Sequence, residues 1–168
     1  MSRAKGPETV ARGGEPGYAG WAGCVAETAP GSEGRGAKQV ILIVDDDDAT
    51  RSLIELRLGH QGFPTASAES SRAALGLLRD GAKPCLVLFD VMMPGERGWD
   101  FVERLLKNPA LSNVPVVLMS TNPTALEANR RIRGEERTLL LPKPLDVKRL
   151  VTLAATHCRC RLPEAGPG

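Results

Sequence analysis

The stretch that most constrains this chain is Val40-Ile41-Leu42-Ile43-Val44, followed at once by Asp45, Asp46, Asp47 and Asp48. An apolar, mostly β-branched run without polar alternation predicts a strand buried on both faces, as in a parallel sheet. Asp48-Ala49-Thr50 then opens a helical pattern, in which Leu53, Ile54, Leu56 and Leu58 recur among Arg and Glu. In such folds the carboxyl end of a strand is where ligands bind. Carboxylates crowded there repel one another, and a hard divalent cation that prefers oxygen ligands, Mg²⁺, relieves the repulsion. The blander alternative makes Asp48 a helix cap and leaves the other aspartates solvated.

The rest of the chain repeats the alternation. After a strand over 39–44 and a helix over about 48–60, Gly62 marks a turn and Phe63-Pro64-Thr65-Ala66 is a weak second strand. Proline cannot donate to a ladder, so this strand belongs at a sheet edge. Ser70 to Asp80 reads as a helix with Ala73, Ala74, Leu77 and Leu78 as its apolar stripe, ended by Gly81. Cys85-Leu86-Val87-Leu88-Phe89 is a doubly buried strand that ends in Asp90. A loop containing Met92, Met93, Pro94, Gly95 and Gly98 follows, and its Pro and Gly impose a turn. A helix is expected from about Trp99 to Leu106, with Trp99 packing it onto the domain. Val114 to Met119 is the fourth strand and runs into Ser120 and Thr121. Asn122-Pro123 opens a helix to about Ile132, Leu139 to Leu141 form a fifth strand before Pro142-Lys143-Pro144, and Asp146 caps a last helix. Val147, Leu150, Val151 and Ala154 form its buried side.

Strands alternating with helices in this way mean an α/β fold, a doubly wound five-stranded parallel sheet covered on both faces. Residues 1–37 stand apart. They hold nine of the eighteen glycines, three prolines, four basic and four acidic residues, with little periodicity. Such a stretch buries too little apolar surface to offset its ordering entropy. It lacks a signal-peptide core and carries four glutamates, unlike an organelle transit peptide. The expected organisation is a disordered leader over 1–37, one folded domain over 38–158 and a loose tail over 159–168. Tyr18 and Trp21 are the leader's only aromatics and are candidates for docking elsewhere.

Charge and cysteine content exclude some roles. A net charge of +2 gives no bulk case for nucleic acid or an anionic membrane, and no apolar run is long enough to span a bilayer. Cys24, Cys85, Cys158 and Cys160 form no C-x-x-C pair. Cys85, at the start of an apolar run, reads as a buried thiol, and the economical setting is reducing and cytoplasmic.

Each strand that ends in a polar residue delivers it to one rim: Asp45 with Asp46, Asp90, Ser120 and Lys143. Together these suit phosphoryl transfer. A carboxylate can act as nucleophile and become an acyl phosphate. Further carboxylates hold a metal ion, Lys supplies a point charge and a hydroxyl donates a hydrogen bond. A backbone carbonyl beyond Asp90, that of Met92, can complete the metal shell. Lys143 as a mere turn lysine, Ser120 as a cap, and His60 and His157 as helix-terminal charges are the bland counterparts. Arg130, Arg131 and Arg133 with Glu127, Glu135 and Glu136 read as a solvated face, and Met92 and Met93 as packing residues.

The stretch from about Gln39 to His157 resembles the receiver domain of two-component response regulators. The resemblance rests on Ile41 to Asp46, Leu86 to Gly95 with Gly98, Val114 to Ser120, and Lys143-Pro144. It implies a flavodoxin-like strand order of 2-1-3-4-5, which agrees with Pro64 at an edge. It also implies that Asp90 accepts phosphate from a histidine kinase or histidine phosphotransfer protein, with Asp45 and Asp46 binding Mg²⁺. Ser120 and Lys143 then contact the phosphoryl group, and the Lys143-Pro144 bond is cis. The expected role is signalling by contact with a downstream protein target, not steady enzymatic turnover. A DNA-binding helix-turn-helix is not expected after His157.

The chain departs from that family in three places. Leu140 stands where an aromatic usually reports phosphorylation, Glu136-Arg137 where Gly-Ala is usual, and Arg97 where an acidic residue is common. A second class is weighed beside it: Asp46-Asp47-Asp48-Ala49-Thr50 also fits the D-x-D-x-T signature of haloacid dehalogenase-like aspartyl-phosphate phosphatases. That class needs a later acidic cluster, whereas only Asp146 and Glu164 follow Lys143, and it leaves Asp90 unexplained. A third reading is a receiver-like interaction module without phosphorylation.

Overall fold

The computed structural model describes residues 39–93, 98–122 and 136–159. In chain order they form β1 (Gln39–Val44), α1 (Asp48–His60), β2 (Thr65–Ala68), α2 (Ser71–Arg79) and β3 (Lys83–Asp90). Then come α3 (Gly98–Lys107), a 3-10 turn (Pro109–Leu111), β4 (Val116–Ser120), β5 (Thr138–Pro142) and α4 (Val147–His157). All strand pairs are parallel and the order is β2-β1-β3-β4-β5. The leader, the loop over 94–97, the helix expected over 122–132 beyond its first residue, and the tail from Cys160 lie outside the described residues.

The uninterrupted apolar strands divide their side chains between two cores, because successive residues point to opposite faces. Leu42, Val44, Val87, Phe89 and Leu118 face α2 and α3, where Ala74, Phe101, Val102 and Leu105 cover them. Ile41, Ile43, Leu86, Leu88, Val117 and Leu141 face α1 and α4, under Ile54, Leu58, Leu150 and Ala154. Trp99 is half-buried against the first core, as expected of it. On α2 only Ala74 is fully buried, while Ala73, Leu77 and Leu78 pack part-exposed around it.

Three local expectations need correcting. The second strand lies two residues later, over Thr65–Ala68, with Pro64 just outside its start. There Pro64 needs no amide proton, and its carbonyl still accepts from the Ile41 N–H at 2.8 Å. The helix cap is Asp47, not Asp48: its carboxylate accepts the Thr50 N–H at 3.0 Å, and Asp48 is the first helical residue. The bond from the Thr50 hydroxyl, with this one from its N–H, lowers the Asp47 pKa. Asp146 does cap α4, accepting from the N–H groups of Lys148 and Arg149.

The third correction concerns sulfur. Cys85 is not a free thiol but is disulfide-bonded to Cys158, across a sequence separation of 73 residues. The bond joins the start of β3 to the residue that closes α4. It removes from the unfolded chain the entropy of a long loop. The cysteine argument for a reducing compartment therefore lapses. Among the described residues no helix is long and apolar enough to cross a membrane.

Candidate functional site

Register assembles the site. Val44 pairs with Phe89, so the next residues, Asp45 and Asp90, leave adjacent strands at the same height. Asp90 pairs with Met119, which sets Ser120 one step higher. Ser120 pairs with Pro142, and Lys143 follows, its N–H donating to the Ser120 carbonyl at 2.8 Å. Four polar side chains thus converge because three adjacent registers bring the strand ends together.

Three of the side chains are held by the backbone N–H two residues further along the chain. One oxygen of Asp45 accepts the Asp47 N–H at 2.9 Å, and one oxygen of Asp90 accepts the Met92 N–H at 2.8 Å. Ser120 Oγ accepts the Asn122 N–H at 2.9 Å. The other oxygens of Asp45 and Asp90 both receive Lys143 Nζ, each at 2.7 Å. Asp45, Asp90 and Ser120 are buried, and they are the buried polar side chains of the described residues. Burial opposes the charge on Lys143, but its bonds to Asp45 and Asp90 outweigh that and raise its pKa. The Lys143-Pro144 peptide is cis, as the resemblance implied.

Asp46 is exposed beside this pair, and one oxygen from each of Asp45, Asp46 and Asp90 lies within 4.8 Å of the others. Three carboxylates against one ammonium leave a net −2 at the rim. A divalent cation cancels that charge, and an all-oxygen donor set is what Mg²⁺ takes. The residues present therefore fit a hard cation. Met92 contributes its amide to Asp90 but is 60% exposed, so it is not the packing residue expected; Met93 is buried in the first core.

Three further residues support the site, of which Arg51 was not singled out from sequence, while Gly98 and Arg137 were noted without the structural roles they take. Arg51, one turn into α1, donates to the Asp45 carbonyl at 2.7 Å and to the Asp48 carboxylate at 2.6 Å. It thereby ties the acidic loop to the helix. Its signal was a basic residue three positions after the last aspartate of the acidic run, the spacing of one helical turn. Gly98 begins α3 where an added Cβ would meet the Phe89 ring at 3.1 Å and the Val91 carbonyl at 3.3 Å. Only hydrogen lets α3 start so close to the loop after Asp90. Arg137, at a departure from the family pattern, donates to the carbonyls of Leu106 and Leu111 at 2.9 and 2.8 Å. It closes the end of α3, a task invisible in local sequence. Leu140 is half-buried against the first core and pairs with Leu118.

The family model for the response regulator receiver domain matches residues 41–155. The chain belongs to the response regulator receiver family. Relatives agree: this receiver is 31% identical over 118 residues to the two-component response regulator ORR5 of Oryza sativa subsp. japonica, covering 69% of this chain and 88% of that one. It is 29% identical over 132 residues to the phosphate regulon transcriptional regulatory protein PhoB of Pseudomonas aeruginosa, covering 77% of this chain but 54% of PhoB. Among solved structures, the receiver domain of NtrX from Brucella abortus superposes with a TM-score of 0.58 at 29% identity, covering 70% of this chain and 96% of that one. The chemotaxis response regulator CheY4 of Vibrio cholerae shares the fold, with a TM-score of 0.61 at 24% identity, over 70% and 97% of the two chains.

Proposed function

We propose that this receiver accepts a phosphoryl group on Asp90 from a histidine kinase or histidine phosphotransfer protein and passes the signal on by protein contact. The observation that carries the proposal is the pair of 2.7 Å bonds from Lys143 to Asp45 and Asp90, two buried carboxylates at adjacent strand ends. A buried carboxylate bonded to a lysine that can turn to a new anion is suited to attack phosphorus.

In this reading Asp90 attacks the phosphoryl group through a carboxylate oxygen, and the histidine nitrogen leaves. The product is an acyl phosphate, so Asp90 exchanges its own charge for that of the phosphoryl oxygens. Lys143 stays paired with Asp45 and swings its other bond to a phosphoryl oxygen. Ser120, whose Oγ already accepts the Asn122 N–H, has its own O–H to donate to another. The Met92 N–H steadies the oxygen it already touches. Asp45 and Asp46, with Asp90 and the Met92 carbonyl, are the groups that would hold Mg²⁺, which supplies charge neutralisation for transfer.

The role is one of acceptance and relay, not steady turnover, and the acting unit is residues 38–158. A donor charged from ATP calls for a cytoplasmic setting. The Cys85–Cys158 bond is compatible with that because both residues are buried, away from thiol reductants. The partners are a phosphohistidine protein and a downstream protein target. The test is phosphotransfer from a panel of autophosphorylated histidine kinases to the full chain and to Asp90→Asn. Transfer to the wild type alone is expected. Equal label on both proteins, or none on either, refutes the proposal.

A further inference from the structure

The groove between α2 and α3, of about 750 Å³, has no part in the chemistry above. Its floor is apolar: Leu75 and Leu78 from one helix, Phe101 and Leu105 from the other. Its rim carries Arg72, Arg79 and Arg104 against Asp100, a net of +2 from three cations and one anion. All three arginines are exposed, and among the described residues none is held in an ion pair. An apolar trough with a basic rim fits an acidic segment that carries large side chains.

The chain itself contains one. From Gly13 to Gly34 there are three acidic residues, Glu15, Glu27 and Glu33, with no Lys or Arg, and the only aromatics of the leader, Tyr18 and Trp21. Charge −3 therefore faces charge +2. The leader also arrives at the right place. Gln39 pairs with Lys83, only four residues after Arg79 at the end of α2. With strands about 4.8 Å apart and at most about 3.5 Å per residue, Gln39 lies within about 19 Å of Arg79. Glu33 is six residues before Gln39 and spans up to about 20 Å when extended, which reaches that guanidinium. Trp21 lies further back, with a root-mean-square reach of roughly 23 Å for a Gly-rich chain, enough to cover a groove one short helix long. Tethering also raises the segment's effective concentration to the millimolar range, so modest contacts suffice.

We propose that the leader segment Glu15 to Glu33 docks in the α2–α3 groove of its own chain, Tyr18 and Trp21 on the apolar floor and the glutamates against the arginine rim. The inference is independent of phosphoryl acceptance. It makes the groove a covered surface, open to a competing acidic partner only when the leader is displaced.

The full-length chain with p-benzoylphenylalanine at position 21 is irradiated at low concentration, digested and mapped by mass spectrometry. The expected product is monomeric, with position 21 crosslinked to the peptide of α2 or of α3. It should be lost in R72E/R79E/R104E and in about 1 M salt, where the Debye length falls to about 3 Å. A crosslink to another part of the chain, or none, overturns the proposal. A crosslinked dimer also overturns it and assigns the groove to a second copy's leader. In parallel, backbone amide spectra of the full chain are compared with Y18A/W21A. Shifts confined to Leu75, Leu78, Phe101, Leu105 and their neighbours are expected, and unchanged α2 and α3 resonances overturn the proposal whether or not the arginine variant folds.

Discussion

Replacing Lys143 by Met should destabilise the receiver strongly, and Mg²⁺ should undo much of the loss. The ammonium makes 2.7 Å bonds to Asp45 and Asp90, whose side chains are 0% and 8% exposed. Removing one member of a buried ion pair strands the others and costs about 3–5 kcal/mol. The Lys143 side chain is itself 17% exposed and Asp46 lies in solvent, so screening puts the expectation at the lower end, about 3 kcal/mol. For a domain of this size about 4 °C is lost per kcal/mol, so Tm should fall by about 12 °C. The rim then carries −3 instead of −2 and should attract a divalent cation more strongly. Stabilisation by a ligand grows as RT ln(1 + [L]/Kd), about 2.7 kcal/mol at a hundred times Kd. Differential scanning fluorimetry of the wild type and Lys143→Met across a Mg²⁺ series reads both effects. A Tm within about 2 °C of wild type, half a kcal/mol on the same scale, would refute the role of Lys143 as counter-ion. A Mg²⁺-induced rise no larger in the variant would refute the charge reasoning.

Further expectations follow from other contacts. Cys158→Ala should lower stability by about 2–4 kcal/mol through the released loop, and Cys85 and Cys158 of the native chain should resist alkylation until reductant is added; rapid alkylation of the unreduced, unfolded chain at both would contradict the pairing. Gly98→Ala should cost about 1–3 kcal/mol by chemical denaturation, since its Cβ has the Phe89 ring at 3.1 Å and a carbonyl at 3.3 Å; a neutral effect would mean that the loop after Asp90 gives way. Lys143, with its pKa raised above 10.5, contributes stability that is complete below that value and lost as pH climbs through the folded-state pKa. The alkaline limb of wild-type stability should accordingly be steeper than that of Lys143→Met, and parallel limbs would count against the coupling.

Much of this was legible in the sequence because each buried strand announces its end. The run Val40 to Val44 breaks at Asp45 and Leu86 to Phe89 breaks at Asp90, so both strand and site could be read from one feature. The weaker second strand was misplaced because Thr65 and Ser67 offer little apolar signal, and Pro64 was counted inside the strand it precedes. Asp47 and Asp48 are equivalent as letters, and only the backbone geometry of the turn decides which one caps. The Cys85–Cys158 bond joins residues far apart in the chain, for which no spacing rule exists. The departures at Leu140 and Arg137 were visible as departures, but that Arg137 ties down the end of α3 needed coordinates.

The most direct test of the central claim is to locate the phosphoryl group. The full chain is treated with acetyl phosphate and Mg²⁺, reduced with borohydride and mapped by tandem mass spectrometry. Borohydride converts an aspartyl phosphate to homoserine and leaves free aspartate unchanged, so the modified position is read directly. Homoserine at position 90, abolished in Asp90→Asn and strongly reduced when Mg²⁺ is chelated, is the predicted result. Homoserine at Asp46 instead, or no modification of a folded chain, would contradict the account.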